Sequence, residues 1–368
     1  MSEENFLRLI ERMNQNEVKH LPTEAMINFI KELYTNEQAA LIGDFPLGAH
    51  TSKALAKSLG RDEGNLDKML KEMSANGLIF ESRNEKGESE YSVFAFEPGL
   101  MELQWIKGKD DERTRKFTRL AQAVKEQEGA MVEELFKQTE IAKELFSKPL
   151  GRIVAIEENI AHDKQIASWE KISTLIERET SYAVGECSCK HMARLEGNPC
   201  KTDHLSKCCI WFGKVADYLV ERDYATRFTR EEVYALVKKC QEAGLVQFTS
   251  NRASDNSIVL CNCCKCCCLY MKITIHARES GIRFTASSNF QARVDEDSCI
   301  GCGECVDNCQ LEALTLTDDE KVRVNEDYCL GCGVCVSICP TESMSLVRVS
   351  RNELPELTTP VGGSKPYV

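Results

Sequence analysis

Apolar residues in the first quarter of the chain recur at helical spacing. Met26, Ile27, Ile30 and Leu33 mark one face of a helix over residues 23–34. A short helix over 52–59 runs into Gly60. A longer one over 62–76 puts Leu66, Met69, Leu70 and Met73 on one face before Gly77 stops it. Residues 78–82 and 90–94 read as strands joined by a turn at 84–87. Over 98–148 the pattern is helical and highly charged. Its apolar stripe is Phe117, Leu120, Val124, Met131, Leu135, Phe136 and Phe146, and Pro149 ends it. Such a stripe predicts a helix or helical pair packed on its neighbours, with a homodimer interface as the sharper alternative. Further along, Thr229 and Glu232 form a capping-box pattern. Val233, Leu236, Val237 and Cys240 follow as an apolar face closed by Gly244, so Cys240 reads as a core residue. The tail from Arg351 holds Pro355, Pro360, Pro366 and the Gly362–Gly363 pair, a composition expected to be extended or disordered.

The helices and hairpin of residues 1–97 together resemble a winged helix-turn-helix. That resemblance implies DNA binding, and charge argues against it. At the recognition-helix position, Asp62, Glu63, Asp67 and Glu72 outnumber Lys68 and Lys71, and Gly64 weakens the first turn. A reading helix must meet base edges and phosphates, which repel carboxylates. Only Arg61 and Arg83, at the edges, suit a phosphate backbone. Docking of a protein or dimerisation is the expected role, with DNA disfavoured.

Composition adds two constraints. The 368 residues exceed one ordinary core, so several domains are expected. The 20 cysteines are far more than a core needs, yet Met1–Met13 is charged and amphipathic rather than a secretory leader. No run of 18 apolar residues is present, so no membrane span is expected. Cysteines at metal spacings without export point to a reducing cytoplasm, not a disulfide scaffold. A formal net charge of −12 does not favour nucleic acid and suits basic redox partners. No nucleotide loop, catalytic triad or flavin fingerprint is visible, so no catalytic residue is assigned.

Twelve cysteines fall within residues 150–288, and six of them crowd into Cys261–Cys268. No apolar core needs that density, and thiols so placed oxidise or scavenge metal unless a cofactor holds them. In an extended chain Cys261 and Cys263 share one face, while Cys264, Cys266 and Cys268 share the other. One cube cannot take all six. The expectation is at least one further cluster, drawing on Cys189, Cys200, Cys209, Cys261, Cys263, Cys264 and Cys267, with structural zinc as the alternative. His191 and His204 are read as hydrogen-bonding neighbours. The residues Cys189–Lys190–His191, Cys200, Cys209–Ile210–Trp211–Phe212–Gly213 and Cys261–Cys268 resemble a cysteine-rich module found beside ferredoxin domains in anaerobic bacteria and archaea. The resemblance implies an iron–sulfur protein and carries no reaction.

The last third repeats one pattern 30 residues apart. Cys299, Cys302, Cys305 and Cys309 form a C-x2-C-x2-C-x3-C run; Cys329, Cys332, Cys335 and Cys339 form the second, followed by Pro340. Two intervening residues let a loop curl three sulfurs toward one centre, and Gly301, Gly303, Gly331 and Gly333 permit the curl. Zinc knuckles, by contrast, are two separated C-x2-C pairs. Over roughly residues 290–350 the chain resembles bacterial two-cluster ferredoxins. The repeat extends to Asp297 with Asp327, and to Ala313–Leu316 with Ser343–Leu346, so each half reads strand, loop, short helix, strand. The resemblance implies two 4Fe–4S clusters with crossed ligands. One takes Cys299, Cys302, Cys305 and Cys339; the other takes Cys329, Cys332, Cys335 and Cys309. Gln310 stands where the family usually has proline. It is read as loosening the loop or adding a hydrogen-bonding amide near a cluster.

The expected architecture is α+β and multidomain. A winged-helix-like domain (1–97) leads through a helical connector (98–149) to a cysteine-rich α+β middle domain (150–288). A ferredoxin-like domain with two cluster loops (289–350) and an extended tail (351–368) follow. The expected function is electron transfer, as a carrier or electron-delivering subunit serving a redox protein partner or catalytic subunit of an anaerobic complex. The alternatives are a redox-responsive transcription regulator and a reductase with a catalytic middle-domain cluster.

Overall fold

The computed structural model describes residues 3–16, 19–138, 149, 151–251, 258–278 and 284–349. The expected tail from Arg351 lies outside the described residues, as does Phe146. The chain divides into two compact units. One comprises Met1–Thr139 with Lys214–Thr226, and the other Glu140–Gly213 with Arg227–Leu357.

Helices dominate the first unit. They are α1 (Glu4–Met13), α2 (Glu24–Leu33), α3 (Asn36–Gly43), α4 (Ser52–Leu59), α5 (Glu63–Ala75) and α6 (Glu112–Gln138). The side chains of Thr23, Thr35, Thr51 and Asp62 each accept a hydrogen bond from a first-turn backbone N–H, fixing four helix starts. Gly60 ends α4 in the left-handed region. An antiparallel hairpin, β1 (Phe80–Arg83) and β2 (Ser89–Ser92), follows α5, and His50 bridges to Tyr91 beside it. On α6, Phe117 and Val124 are buried, and Phe117 meets Phe29 of α2 edge to face at 5.2 Å. That part of the connector stripe therefore packs within its own unit. Met131 is exposed, and the side chains of Leu135 and Phe136 lie outside the description.

Residues 214–226 sit, by sequence, inside the segment expected to form the middle domain, yet they group with the first unit. Their helix, Gly213–Glu221, inserts Tyr218 between Phe80 and Phe94, with ring centroids 5.2 and 5.6 Å away. The buried Tyr218 hydroxyl bonds the carbonyls of Ser74 at 2.8 Å and Ile79 at 3.2 Å. Arg222 lies over the Tyr218 ring, pairs with Glu81, and donates to Ser74 Oγ at 3.0 Å. Paired so, a half-buried guanidinium is stabilised rather than stranded.

The second unit is built on a seven-stranded sheet. Its strands are β3 (Gly151–Val154), β4 (Tyr182–Gly185), β5 (Cys209–Phe212), β6 (Thr226–Phe228), β7 (Val246–Ser250), β8 (Val259–Cys263) and β9 (Thr285–Ala286), in the order β6-β4-β5-β8-β7-β3-β9. The pairings β4–β5, β5–β8, β8–β7 and β7–β3 are antiparallel, and β3–β9 is parallel. Helix Arg230–Glu242 covers one face, opened by the Thr229–Glu232 capping box. Val233 and Val237 pack there against Val184, Ile210 and Leu260.

The C-terminal repeat folds symmetrically. Strand β10 (Phe290–Val294) pairs with β13 (Met344–Arg348), and β11 (Leu314–Leu316) pairs with β12 (Val322–Val324), both antiparallel. The first strand of one half thus meets the last strand of the other. Ala292, Leu314, Val322, Met344 and Leu346 form the intervening core, and Cys299, Cys305, Cys329 and Cys335 are buried in it.

Candidate metal centres

None of the 20 cysteines, all of which are among the described residues, forms a disulfide. In the C-terminal repeat both loops open alike: Cys299 N–H donates to the Asp295 carbonyl and Cys329 N–H to the Asn325 carbonyl, each at 3.0 Å. Gly301 and Gly331 have φ of +68° and +69°. A Cβ on Gly331 overlaps the Phe290 carbonyl, and one on Gly301 overlaps that of Glu320, so close backbone approach and conformation both require glycine. Cys305 and Cys335 ride on short helices, Glu304–Asp307 and Val334–Ser337.

Cys309, from the first run, lines a single cavity with Cys329, Cys332 and Cys335 of the second. The rest of its wall is apolar, including Ala292, Leu311, Ala313, Leu314 and Leu346. Burial, reinforced by the charge of Cys309, pushes the Cys332 thiol up to about 12. Cys305 is pushed up to about 11, first by burial and then by the charges of Cys302, Cys339 and Cys299. Empty thiolates so crowded repel one another, and iron relieves both the repulsion and the desolvation. Backbone donors are aimed at sulfur: Ala313 N–H to Cys309 Sγ at 3.3 Å and Ala292 N–H to Cys329 Sγ at 3.5 Å. Burial alone raises the Cys339 pKa, but bonds from Ser343 and Thr341 outweigh it and bring it down to about 7. These residues fit a thiolate-bound cluster, and such donors tune its potential.

A second convergence lies where the chain leaves strand β8. Cys200 Sγ is 3.4 Å from both Cys264 and Cys266, and Cys264 Sγ is 3.2 Å from both Cys266 and Cys267. All four sulfurs lie within 4.8 Å of one another. Cys200, Cys264 and Cys267 are buried, and Cys266 is exposed. Of the residues expected to hold a further cluster, Cys200, Cys264 and Cys267 meet here. Cys189, Cys209, Cys261 and Cys263 do not join this group, and Cys266 completes it. Strand β8 ends at Cys263 and the chain turns through 265–267 before helix Leu269–Ala277. Face alternation stops with the strand, which brings Cys264, Cys266 and Cys267 together. Cys240 is fully buried, as expected of a core residue, and its sulfur meets Cys208.

Cys200 is positioned from helix Ser188–Leu195. Arg194 spans Asp203 with two bonds of 2.9 Å and reaches Glu186 at 2.8 Å, clamping the loop that carries Cys200. His191 Nδ1 accepts from the same guanidinium at 3.2 Å, and His204 is exposed. The residue that sequence reasoning missed is Lys190. It is 1% exposed, and its Nζ donates to the Thr202 carbonyl, Thr202 Oγ1 and the Leu205 carbonyl at 3.0–3.2 Å. Burial opposes its charge, but the fields of Cys208, Cys187, Cys200 and Cys264 overcome that and raise its pKa. An ammonium buried among thiolates offsets their negative charge.

Gln310 joins the two regions. Its Oε1 accepts from Lys265 N–H, within the cysteine run, and its Nε2 donates to the Gly244 carbonyl, both at 3.0 Å. Lys265 Nζ pairs with Glu312 at 3.3 Å. The loop of Cys332 is fastened too, its carbonyl accepting from Ile156 N–H at 3.0 Å. Cys263 and Cys268 share one packed cluster with Leu311 and Val334, and Cys261, Cys309 and Cys332 pack against it.

Among the described residues, no helix is long and apolar enough to cross a membrane. No curated protein and no solved structure matches the chain. A family model for a 4Fe-4S dicluster domain matches residues 292–346, the segment that holds both four-cysteine loops.

Proposed function

We propose that this chain is a cytoplasmic electron-transfer protein, acting as a carrier or electron-delivering subunit for a redox partner. The observation that carries the reading is the cavity where Cys309 joins Cys329, Cys332 and Cys335. It is the crossed arrangement that two-cluster ferredoxins use. The partner cluster takes Cys299, Cys302, Cys305 and Cys339. The thiols of Cys200, Cys264, Cys266 and Cys267 hold a further iron–sulfur centre. Their chemistry supplies one-electron steps, and the protein's part is to set potentials through burial, N–H···S bonds and nearby charge. The helices and hairpin of residues 1–97 serve as a winged-helix-like docking element for protein. Asp62, Glu63 and Asp67, at the start of α5, disfavour DNA.

Strictly anaerobic purification followed by iron, sulfide and zinc counts and a low-temperature spin-resonance titration tests the reading. About twelve or more irons, with about eight in dithionite-reducible ferredoxin-type signals, are expected. A colourless protein, or one carrying zinc in place of iron, overturns it.

Lys190→Met removes a cation beside the middle centre. A unit charge about 8 Å away contributes about 2 kcal/mol at an effective dielectric of 20, on the order of 90 mV for one electron. Because the reduced centre is the more negative, the variant's midpoint potential is expected to fall by that order, while the two ferredoxin signals stay where they were. An unmoved potential in the titration removes Lys190 from this role.

A further inference from the structure

Resting on the electron-transfer reading, we propose that Cys189, Cys209, Cys261, Cys263 and Cys268 build a second, separate iron–sulfur centre in the sheet region, between the Cys200 group and the Cys309–Cys329–Cys332–Cys335 cavity. Strand register puts the first pair in place. Ile210 lies opposite Leu260 and Trp211 opposite Val259, so one more step sets Cys209 opposite Cys261. Cys261 and Cys263 then share a face of β8, since they are two residues apart. Cys268 N-caps the helix that follows, and its backbone N–H is held by the Cys264 carbonyl at 3.1 Å. The sulfurs of Cys209, Cys261, Cys263, Cys268 and Cys189 are successive neighbours, and the series continues from Cys189 through Cys187 and Cys208 to Cys240. Cys209, Cys263 and Cys268 are all at most 8% exposed.

An apolar core gains nothing from five contiguous thiols. Valine or alanine fills such space without the risk of oxidation. Thiolates from this series can supply the four ligands that a four-iron cluster takes. The site is also distinct from the Cys200 group. Its members lie on β5, β8 and the two flanking helix starts, whereas Cys264, Cys266 and Cys267 lie on the turn between. Placement gives it a role. Cys261, Cys263 and Cys268 pack in the same cluster as Cys309 and Cys332, whereas Cys264 and Cys267 pack with Cys200. An electron leaving the Cys309-ligated cube reduces the new centre, which is reoxidised as it passes that electron to the Cys200 centre. One electron moves at each step and no proton is required.

The test uses the full chain, purified without oxygen, with metal and sulfide analysis and Mössbauer spectra. The wild type is expected to hold about sixteen irons, four centres of four. Cys209→Ser with Cys261→Ser is expected to remove about four of them and one spectral component, sparing the rest. Cys264→Ser with Cys267→Ser is expected to remove a different component of about the same size, and all four changes together about eight irons. Wild-type protein with about twelve irons, zinc in the middle region, or the same component lost in both double variants overturns the proposal. The wild-type count stands even where a variant fails to fold. Loss of the electron-transfer reading shows separately, as ferredoxin-type signals that dithionite does not elicit.

Discussion

Cys309→Ser is expected to cost the protein the cluster held by residues 329–335, and to leave the one held by residues 299–305 in place. The loss is about four irons and four sulfides per chain. Cys309 is seven residues from Cys302 in sequence, yet it lines the cavity with Cys329, Cys332 and Cys335. Its sulfur is fixed there by the Ala313 N–H. Serine presents a harder, less acidic donor at that position, and a four-iron cube missing one thiolate is exposed to attack. Pairwise combination makes the result unambiguous. Cys309→Ser with Cys332→Ser should lose no more iron than either change alone, since both strike one cube. Cys309→Ser with Cys302→Ser should lose about eight irons, since they strike two. Iron counts in the reverse order would mean that each run closes its own cluster.

Gly331→Ala has the next largest expected effect. At φ +69° an alanine is strained by about 1–2 kcal/mol. The added methyl also overlaps the Phe290 carbonyl and Ser288 Oγ. Ser288 Oγ itself donates to the Gly331 carbonyl at 2.8 Å, and Ser288 N–H donates to the Leu330 carbonyl, so two bonds that fasten the loop to the segment leading into β10 are disturbed together. With the steric term the expected destabilisation is about 3 kcal/mol or more. It should appear as an iron content lower by about four, with faster bleaching of the remainder in air. Gly303→Ala is the control. Its φ is also positive, but nothing lies within 4 Å of an added Cβ, so only the conformational cost applies. Equal losses in the two variants would assign the effect to φ alone and remove the overlap from the account.

The cluster loops were legible because ligation fixes spacing. Four sulfurs must reach one small object, and a loop meets that need in few ways, so Cys329, Cys332 and Cys335 announce themselves. Helices 52–59 and 62–76 were legible for another reason: caps and apolar spacing are local, and the observed bounds differ from the expected ones by at most a residue at each end. The middle cysteine group resisted because its members meet across long stretches of chain. Cys200 and Cys264 touch although they are 64 positions apart, and nothing near either names the other. The strand pattern holds as far as Cys263, and beyond it the turn at 265–267 sets which cysteines meet, so face alternation does not predict the grouping of Cys264, Cys266 and Cys267. Lys190 stood in the matched Cys189–Lys190–His191 stretch, but nothing in the sequence marked it as buried. A lysine in a short helix reads as solvent-facing, and only tertiary burial reverses that. Gln310 was noticed as a departure from the family pattern, but its two partners, Lys265 and Gly244, lie 45 and 66 residues away.

The placement of residues 214–226 bears on how this protein can be taken apart. A fragment ending near residue 139 lacks Tyr218, and Phe80 and Phe94 then face a vacated slot, while the carbonyls of Ser74 and Ile79 lose their hydroxyl donor. Gene cassettes cut at that boundary therefore carry an incomplete hydrophobic interior. Recombination that preserves both products has to move two separated stretches of coding sequence at once, so the two units are expected to be inherited as one piece.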